Sequence, residues 1–456
     1  MDKKQLASLV RMADHVEITQ VMAELVQSFD RFDAMNILQN LMAADHPEVS
    51  VEFMEEGLYE GPEKVKAYML AIQDYLDDPS DKRGFMPLQN LATPHIVVST
   101  SGQRARAQWD ILNASAMQAT PYPGDQTKLT ALWICGRYDN EFIRINGEWK
   151  LLKLHLVTYF KSPFEEGWLK DPDCLRFGAC KVEPTRPSNP NKIYHSDANY
   201  SGDGLHTYGP FLPEKIEDGP APELVEDEAT LKRIERAAAV KEIEMMQGRY
   251  LTLLDAFNMK QMCVELFDMD EPDVTFTMCE GGDYVGPGMK AFVENCNKPS
   301  AGNPMAVHGW FGMVCLWTPH IVVSEDGNHA WAQWNELAPH AMAVTPYPGD
   351  KKRPVGYWFI ARYNNEYIKK DGKWKMLKNK VYSYARAPYE LGWLKQADAR
   401  RIMHDYHHAG DDPFQPQYRP ANIYSGKGAH RWEPFLPEEA YGPKEAPQTD
   451  CADANQ

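Results

Sequence analysis

The sequence predicts an α+β protein made of two tandem copies of one domain, each with helices first and a mostly antiparallel sheet after them. Two observations carry this prediction. The second half of the chain repeats the first half at an offset of 225 residues. Within each copy, apolar residues at helical spacing give way to alternating, strand-like segments that are bounded by turn dipeptides.

The duplication is visible in short motifs. Thr93-Pro-His-Ile-Val-Val-Ser99 returns as Thr318-Pro-His-Ile-Val-Val-Ser324, and 22 of the 35 positions in 91–125 are identical in 316–350. A gapless register of this length does not arise by chance, and such repeats define the domain organisation.

The domain boundaries follow from the same repeat. We expect one domain over 1–215 and a second over 230–456, each closed by a Pro-rich C-terminal arm. The acidic, Pro-rich segment 216–229 is typical of a linker.

Each copy opens with an amphipathic helix. In the first copy one apolar face is formed by Ile18, Val21, Met22, Leu25, Val26 and Phe29. A second helical stretch and a short strand near 49–54 follow, and Gly61-Pro62 begins another helix, because proline is tolerated in a first turn.

The strands come next. Ile96-Val-Val leads into the turn Ser101-Gly102, and 105–109 alternates. Two β-rich segments, 132–138 and 141–145, precede Asn146-Gly147, a strong hairpin dipeptide. A last strand is predicted over 149–159.

Composition excludes several classes of protein. The 456 residues are 43% hydrophobic and 25% charged, as in a globular chain, and the net charge of −17 argues against nucleic acid and anionic membranes as partners. No apolar run has the length of a membrane span, and the N-terminal residues do not read as a signal peptide. The 8 cysteines form no C-x-x-C pair, so we expect free thiols and a cytoplasmic protein.

The order of elements resembles the SnoaL-like family of the nuclear transport factor 2-like superfamily. Three segments carry the resemblance in the first copy, and all recur in the second: Glu17-Ile18 … Phe29-Asp30-x-x-Asp33, Pro94-x-Ile96 … Gly102-x-x-Ala105-x-Ala-x-Trp109, and Arg137-Tyr138-x-x-Glu141-Phe-Ile … Gly147-x-Trp149. It implies two cone-shaped domains, each with N-terminal helices packed on a curved sheet around a pocket. The family includes dehydratases, isomerases, cyclases, dehydrochlorinases and non-enzymatic binders, so the fold does not fix the function.

The resemblance places the family's pocket aspartate at Asp30 and Asp255. A carboxylate in an apolar pocket has a raised pKa and makes a competent base, although an aspartate at a helix end is equally often a cap. Tyr250, with the family's Tyr-x4-Asp spacing to Asp255, would act as general acid or hold a carbonyl. Five residues turn a helix by about 140°, so a core tyrosine is the alternative.

Three histidines are candidate partners of these aspartates. His320 and His95 occupy equivalent strand positions, and His308 lies near the family's catalytic histidine in sequence distance; a structural role is the alternative for each. His329 and His340 also occur only in the second copy, which suggests that the second domain is the active one.

Aromatic residues and arginines complete the predicted site. Trp334, Trp109, Tyr363 and Tyr138 could line a hydrophobic pocket or belong to the core. We expect Arg137 and Arg362 to pair with Glu141 and Glu366 across their hairpins. His404-x-x-His407-His408 is more typical of a solvated helix face than of a metal site, so we predict no metal and no cofactor.

The sequence therefore favours a cofactor-independent dehydratase or isomerase that abstracts a proton next to a carbonyl of a hydrophobic ring compound. A non-catalytic small-molecule binding protein is the alternative, and a scaffold with filled pockets is a third. We expect the two copies to form an internal pseudo-dimer, with further self-association left open.

Overall fold

The helices of the first repeat cover one face of its sheet. A computed structural model describes residues 1–53, 56–77, 85–119, 128–165, 167, 182–187, 212–256, 258–277, 283–295, 311–342, 355–390, 392–395 and 435–441. The first-repeat helices are α1 (Lys3–Arg31), α2 (Ala34–Asn36), which continues as a π-helical turn (Ile37–Leu41), and α3 (Pro62–Asp77). The predicted apolar face of α1 is buried at Ile18, Met22, Leu25, Val26 and Phe29.

The first sheet has the strand order β2-β1-β6-β5-β4-β3. Its strands are β1 (Ser50–Phe53), β2 (Leu58–Glu60), β3 (Leu91–Val98), β4 (Arg104–Ala119), β5 (Lys128–Ile145) and β6 (Glu148–Pro163). Strand β1 pairs with β6 in parallel, and the other neighbours are antiparallel.

The second repeat has the same organisation. Its helices are α4 (Glu228–Asp255), α5 (Met259–Leu266) and α6 (Pro287–Asn295). Its strands are β7 (Thr275–Thr277), β8 (Asp283–Val285), β9 (Phe311–Gly312), β10 (Leu316–Val323), β11 (His329–Met342), β12 (Val355–Lys370) and β13 (Lys373–Pro388). The order is β10-β11-β12-β13-β7-β8, and β9 pairs with β11.

The predicted α+β class is confirmed, with one correction in the strands. The segments 132–138 and 141–145 belong to the single strand β5, in which a register irregularity between Glu141 and Phe142 replaces the expected break. The hairpin at Asn146-Gly147 is as predicted, and both residues have positive φ, 52° and 88°.

Each sheet has an inner face that its own helices cover and an outer face that meets the other repeat. On the inner faces, each repeat has a hydrophobic core, and the core of the second also includes Ala13 and Val16 of α1. Between the outer faces, Trp133 of the first repeat contacts Trp358 and Trp393 of the second, with ring centroids 5.2 and 5.0 Å apart. Within the described residues, no helix has the length and apolar character needed to cross a membrane.

Candidate active site

The inner face of the second sheet carries a group of polar and aromatic side chains. His340 on β11 lies opposite Tyr357 on β12, and Phe359 on β12 lies opposite Arg386 on β13. Because alternate residues of a strand project to the same face, Glu336 shares the face of His340. Covered by helices on one side, this face forms the interior of the second cone.

These side chains contact each other closely. The Nε2 atom of His340 is 3.5 Å from Oε1 of Glu336, and the His340 ring lies 5.2 Å from the Phe359 ring. Nη1 of Arg386 donates a hydrogen bond of 2.9 Å to the Tyr357 hydroxyl, and its guanidinium carbon lies 4.4 Å from the centre of the Phe359 ring. All five side chains are buried. An imidazole and a guanidinium therefore contact the same aromatic ring.

Asp255 ends helix α4 beside this group. Partial burial raises the pKa of its carboxyl, against a backbone hydrogen bond from Val314 and the charge of His340, which both lower it. Burial also raises the pKa of the Cys315 thiol, and the carboxylates of Glu336 and Asp255 raise it further. Asp255 is itself exposed, so solvent reaches its carboxylate, whereas His340 and Glu336 are buried.

The equivalent Asp30 has a different environment. It is fully buried, and its Oδ2 bonds to Nη2 of Arg362, which is also fully buried and comes from strand β12 of the second repeat. Burial raises the pKa of Asp30 to about 7, while the charge and hydrogen bond of Arg362 lower it. The aspartate of the first repeat thus forms a buried ion pair with an arginine of the second.

One exchange between the repeats contributes to this asymmetry. Arg137, the counterpart of Arg362, donates a 2.7 Å hydrogen bond to the Asp110 carboxylate of its own sheet. At the position of Asp110 the second repeat has Asn335, whose neutral oxygen accepts from Arg362 at 3.1 and 3.3 Å. Because the amide does not neutralise Arg362, this cation pairs with Asp30 instead.

The expected pairing of these arginines across their own hairpins is therefore wrong. Glu141 bonds to Lys153, and Glu366 bonds to Lys378, in place of Arg137 and Arg362. The closest carboxylates to the arginines lie on α1 and β4.

The predicted aromatic residues are buried in the two cores. Tyr250 packs edge-on against Tyr363, with centroids 6.3 Å apart, and Trp334 lies opposite Tyr363 on the same inner face. In the first repeat, Trp109 packs against Phe142, and Tyr138 donates a 2.6 Å hydrogen bond to Gln89. Burial and the charge of Asp30 raise the pKa of the Tyr138 phenol.

The predicted histidines occupy dissimilar places. His95 is exposed on edge strand β3, whereas His320 is buried at the junction of the repeats, with Nε2 3.4 Å from Oε2 of Glu24. Burial lowers the pKa of His320 to about 4, so it is neutral near pH 7. His308 lies outside the described residues, as do the His404 cluster and most of both Pro-rich arms.

The first cone contains a small cavity of about 60 Å³. Its wall is apolar except for Gln89, Asn113 and Ser115. A cavity that holds one benzene is about 150 Å³, so this one has no room for a ring compound. Among the described residues, no group of three or more His, Cys, Asp or Glu side chains is placed to hold a metal ion.

The polar group of the second cone was incompletely predicted. The sequence singles out His340 without placing it in the fold, and Glu336, Tyr357 and Arg386 are absent from the predicted site. A position-by-position comparison of the repeats marks two of these three, because Ile111 and Leu132 become Glu336 and Tyr357.

The family model of the SnoaL-like domain matches residues 10–155 and 235–380, so the chain belongs to the SnoaL-like family. The two matches confirm the tandem resemblance noted in the sequence. A comparison with curated proteins finds no match.

Several solved structures are similar to one repeat. The Kfla4162 protein from Kribbella flavida is 15% identical, covers 33% of this chain and 93% of its own, and has a TM-score of 0.26. The hexachlorocyclohexane dehydrochlorinase LinA-type3 from Novosphingobium barchaimii is 16% identical, covers 34% of this chain and 93% of its own, and has a TM-score of 0.26. A nuclear transport factor 2-like superfamily protein from Salmonella enterica is 22% identical, covers 34% of this chain and 97% of its own, and has a TM-score of 0.25.

Proposed function

We propose that the protein is a cofactor-independent lyase or isomerase whose active site is the second cone. Its substrate is a hydrophobic ring compound, such as a steroid, polyketide or aromatic compound, that carries a carbonyl group. The observation that carries the proposal is the cluster of His340, Glu336 and Asp255 on an aromatic inner face that solvent reaches at Asp255.

His340 acts as the base. It accepts the proton from the carbon next to the carbonyl, and the electron pair of that C–H bond moves into the carbonyl to form an enolate. The carboxylates of Glu336 and Asp255 favour the imidazolium that results, because negative charge nearby stabilises the protonated ring. Return of the electron pair either expels a β-hydroxyl group, which leaves as water with the proton of His340, or takes up a proton at a new carbon.

Arg386 and Tyr357 stabilise the enolate oxygen. The guanidinium is fixed by its hydrogen bond to the Tyr357 hydroxyl and by the Phe359 ring beneath it. Donors that are already oriented where negative charge develops lower the barrier without reorganisation. The Tyr357 and Phe359 rings also provide the apolar surface that a ring compound needs.

The first repeat has a supporting role in this proposal. Asp30 is buried against Arg362, and the cavity of the first cone is only about 60 Å³ and is not lined by Asp30. A base that substrate cannot reach does no chemistry, so Asp30, Tyr138 and His95 contribute to structure. Asp255, with Tyr250 in the core behind it, belongs to the working cone.

The proposed setting is the cytoplasm. Cys135, Cys263 and Cys315 form no disulfide in the part of the chain that the structure describes, which supports a reducing compartment.

The test is a screen of cyclic ketones and β-hydroxy ketones in deuterated water, with mass spectrometry to detect deuterium uptake or loss of water. The wild type should convert at least one compound, and His340→Gln should not. His329→Gln is the matched control, because His329 lies on the same strand and also contacts a carboxylate, Glu366, at 2.8 Å. Equal binding by all three proteins without conversion would favour a non-catalytic binding protein.

A further inference from the structure

A groove of about 670 Å³ lies where the two repeats meet, outside both cones. It is bordered by α1, the start of α4, the edge strand β10 and the turn between β5 and β6. Small-molecule sites usually measure about 300–1,000 Å³, so the groove has the size of a ligand site. Both repeats contribute to it, and neither Asp30 nor Asp255 lines it.

The floor of the groove is apolar. Val21 of α1, Val240 of α4, and Ile321 and Val323 of β10 line it, with one edge of Trp149. Gln20 holds α1 against β10, since its side chain accepts a hydrogen bond from the Ile321 backbone N–H at 2.7 Å and donates one to the Pro319 carbonyl at 3.2 Å. A flat apolar group is the natural occupant of such a floor.

The rim carries more cations than anions, on a chain with a net charge of −17. Its four cations are Lys150, Lys232, Arg233 and Arg236. Its three carboxylates are already engaged: Glu17 by Arg233 at 2.8 Å, Glu148 by Lys150 at 2.8 Å, and Glu24 by Arg31 and Asn36.

Positive charge therefore remains at one end of the groove. Arg236 is exposed, and its contact among the described residues is a 3.5 Å hydrogen bond to the Glu325 carbonyl. Lys232 stands one turn before it, and its 2.9 Å ion pair with Glu228 is solvent-exposed and therefore weak.

We propose that this groove binds an amphipathic organic anion, a compound with an apolar ring body and a carboxylate or sulfonate group. The ring body lies on Val240 and Ile321, and the anionic group lies between Lys232 and Arg236. The site is separate from the proposed catalytic cone and gives the tandem protein a second ligand.

The experiment uses two fluorescent probes of similar shape, the anion anilinonaphthalene sulfonate and the neutral phenylnaphthylamine, titrated into the full-length protein. Wild type should bind the anionic probe more tightly than the neutral probe. Added salt should weaken the binding of the anionic probe only. The double variant Lys232→Glu/Arg236→Glu should lower the affinity for the anionic probe by about three- to tenfold, which is the effect of a few exposed charges.

Two control variants locate the probe. Lys241→Glu reverses one charge on the same helix at a residue that does not line the groove, and it should bind like wild type. His340→Gln should also bind like wild type, because it alters the catalytic cone. Unchanged anion binding in the double variant, or an equal loss in either control, would overturn the proposal.

Discussion

Asp30 and Asp255 are the same residue at the same position of two repeats, yet their carboxyl groups face different surroundings. Asp30 is fully buried against Arg362, whereas Asp255 is exposed and close to His340. The exchange of Asp110 for Asn335 explains much of the difference, because it frees one arginine to cross to the other repeat. The surroundings of this repeated aspartate thus depend on a neighbouring position that differs between the repeats.

Asp30 should make stability depend on pH. Burial raises its pKa in the folded protein from 3.8 to about 7, so the folded state holds a proton that the unfolded state has released. Stability from this group is present below about pH 4 and is lost as pH rises through 7. The difference in free energy of unfolding between wild type and Asp30→Asn, measured by urea unfolding, should fall from pH 5 to pH 8. A difference that rises over this range would contradict the assignment.

Arg362 should be costly to remove alone. Arg362→Met leaves the Asp30 carboxylate buried without its cation, and such a loss costs about 3–5 kcal/mol. Adding Asp30→Asn should recover much of that loss, because the buried charge is then gone. Urea unfolding of both single variants and the double variant measures the coupling, and simple additivity would mean that the ion pair has no such role.

The starts of helices α3 and α6 follow the same Gly-Pro pattern but differ in their surroundings. The predicted helix start at Gly61-Pro62 is confirmed, since α3 begins at Pro62, and the equivalent helix α6 of the second repeat begins at Pro287. The two glycines differ in one respect that the sequence does not show. An added Cβ at Gly286 would lie 2.4 Å from the Pro272 carbonyl oxygen, while at Gly61 it would meet nothing within 4 Å.

The two glycines therefore give a matched pair of variants. Both have positive φ, 82° at Gly61 and 49° at Gly286, so an alanine at either pays a backbone cost of about 1–2 kcal/mol. Gly286→Ala must also displace the Pro272 carbonyl, and we expect it to cost a further 1–3 kcal/mol or so. Thermal unfolding of the two variants would detect this, and equal losses would show that the loop before α6 moves freely.

At the scale of the whole molecule, the outer faces of the sheets join the repeats. Trp393 of the second repeat is fully buried among Trp133 and Phe164 of the first, and its indole N–H donates a 2.9 Å hydrogen bond to the Ser115 carbonyl. Stability of each repeat therefore depends on the other.

Trp393→Ala should destabilise both repeats together. Removing a buried tryptophan costs about 3–5 kcal/mol, and the lost indole also leaves the Ser115 carbonyl unpaired. Fluorescence and far-ultraviolet circular dichroism should follow one shared urea transition at a lower midpoint. Two separate transitions, with one repeat unaffected, would contradict the coupling.

The duplication predicted the fold because each repeat carries the same helical and strand patterns in register. It could not predict how the repeats meet, since identical patterns imply a symmetric pairing. The asymmetry arises from exchanges such as Asp110 for Asn335 and Gln20 for Met245, whose effects depend on contacts across the junction. For the same reason His320, read as a catalytic candidate on its strand, lies buried beneath α1, and His340 was noted but not placed.

The most direct test of the central claim compares Asp255→Asn with Asp30→Asn on a compound that the wild type converts. Deuterium uptake at the carbon next to the carbonyl measures proton abstraction itself, with folding checked by circular dichroism. We predict that Asp255→Asn slows uptake by about tenfold, because the His340 imidazolium that forms loses a nearby negative charge, worth about one pKa unit, and that Asp30→Asn stays within a few-fold of wild type. The opposite order would place the chemistry in the first cone and contradict this account.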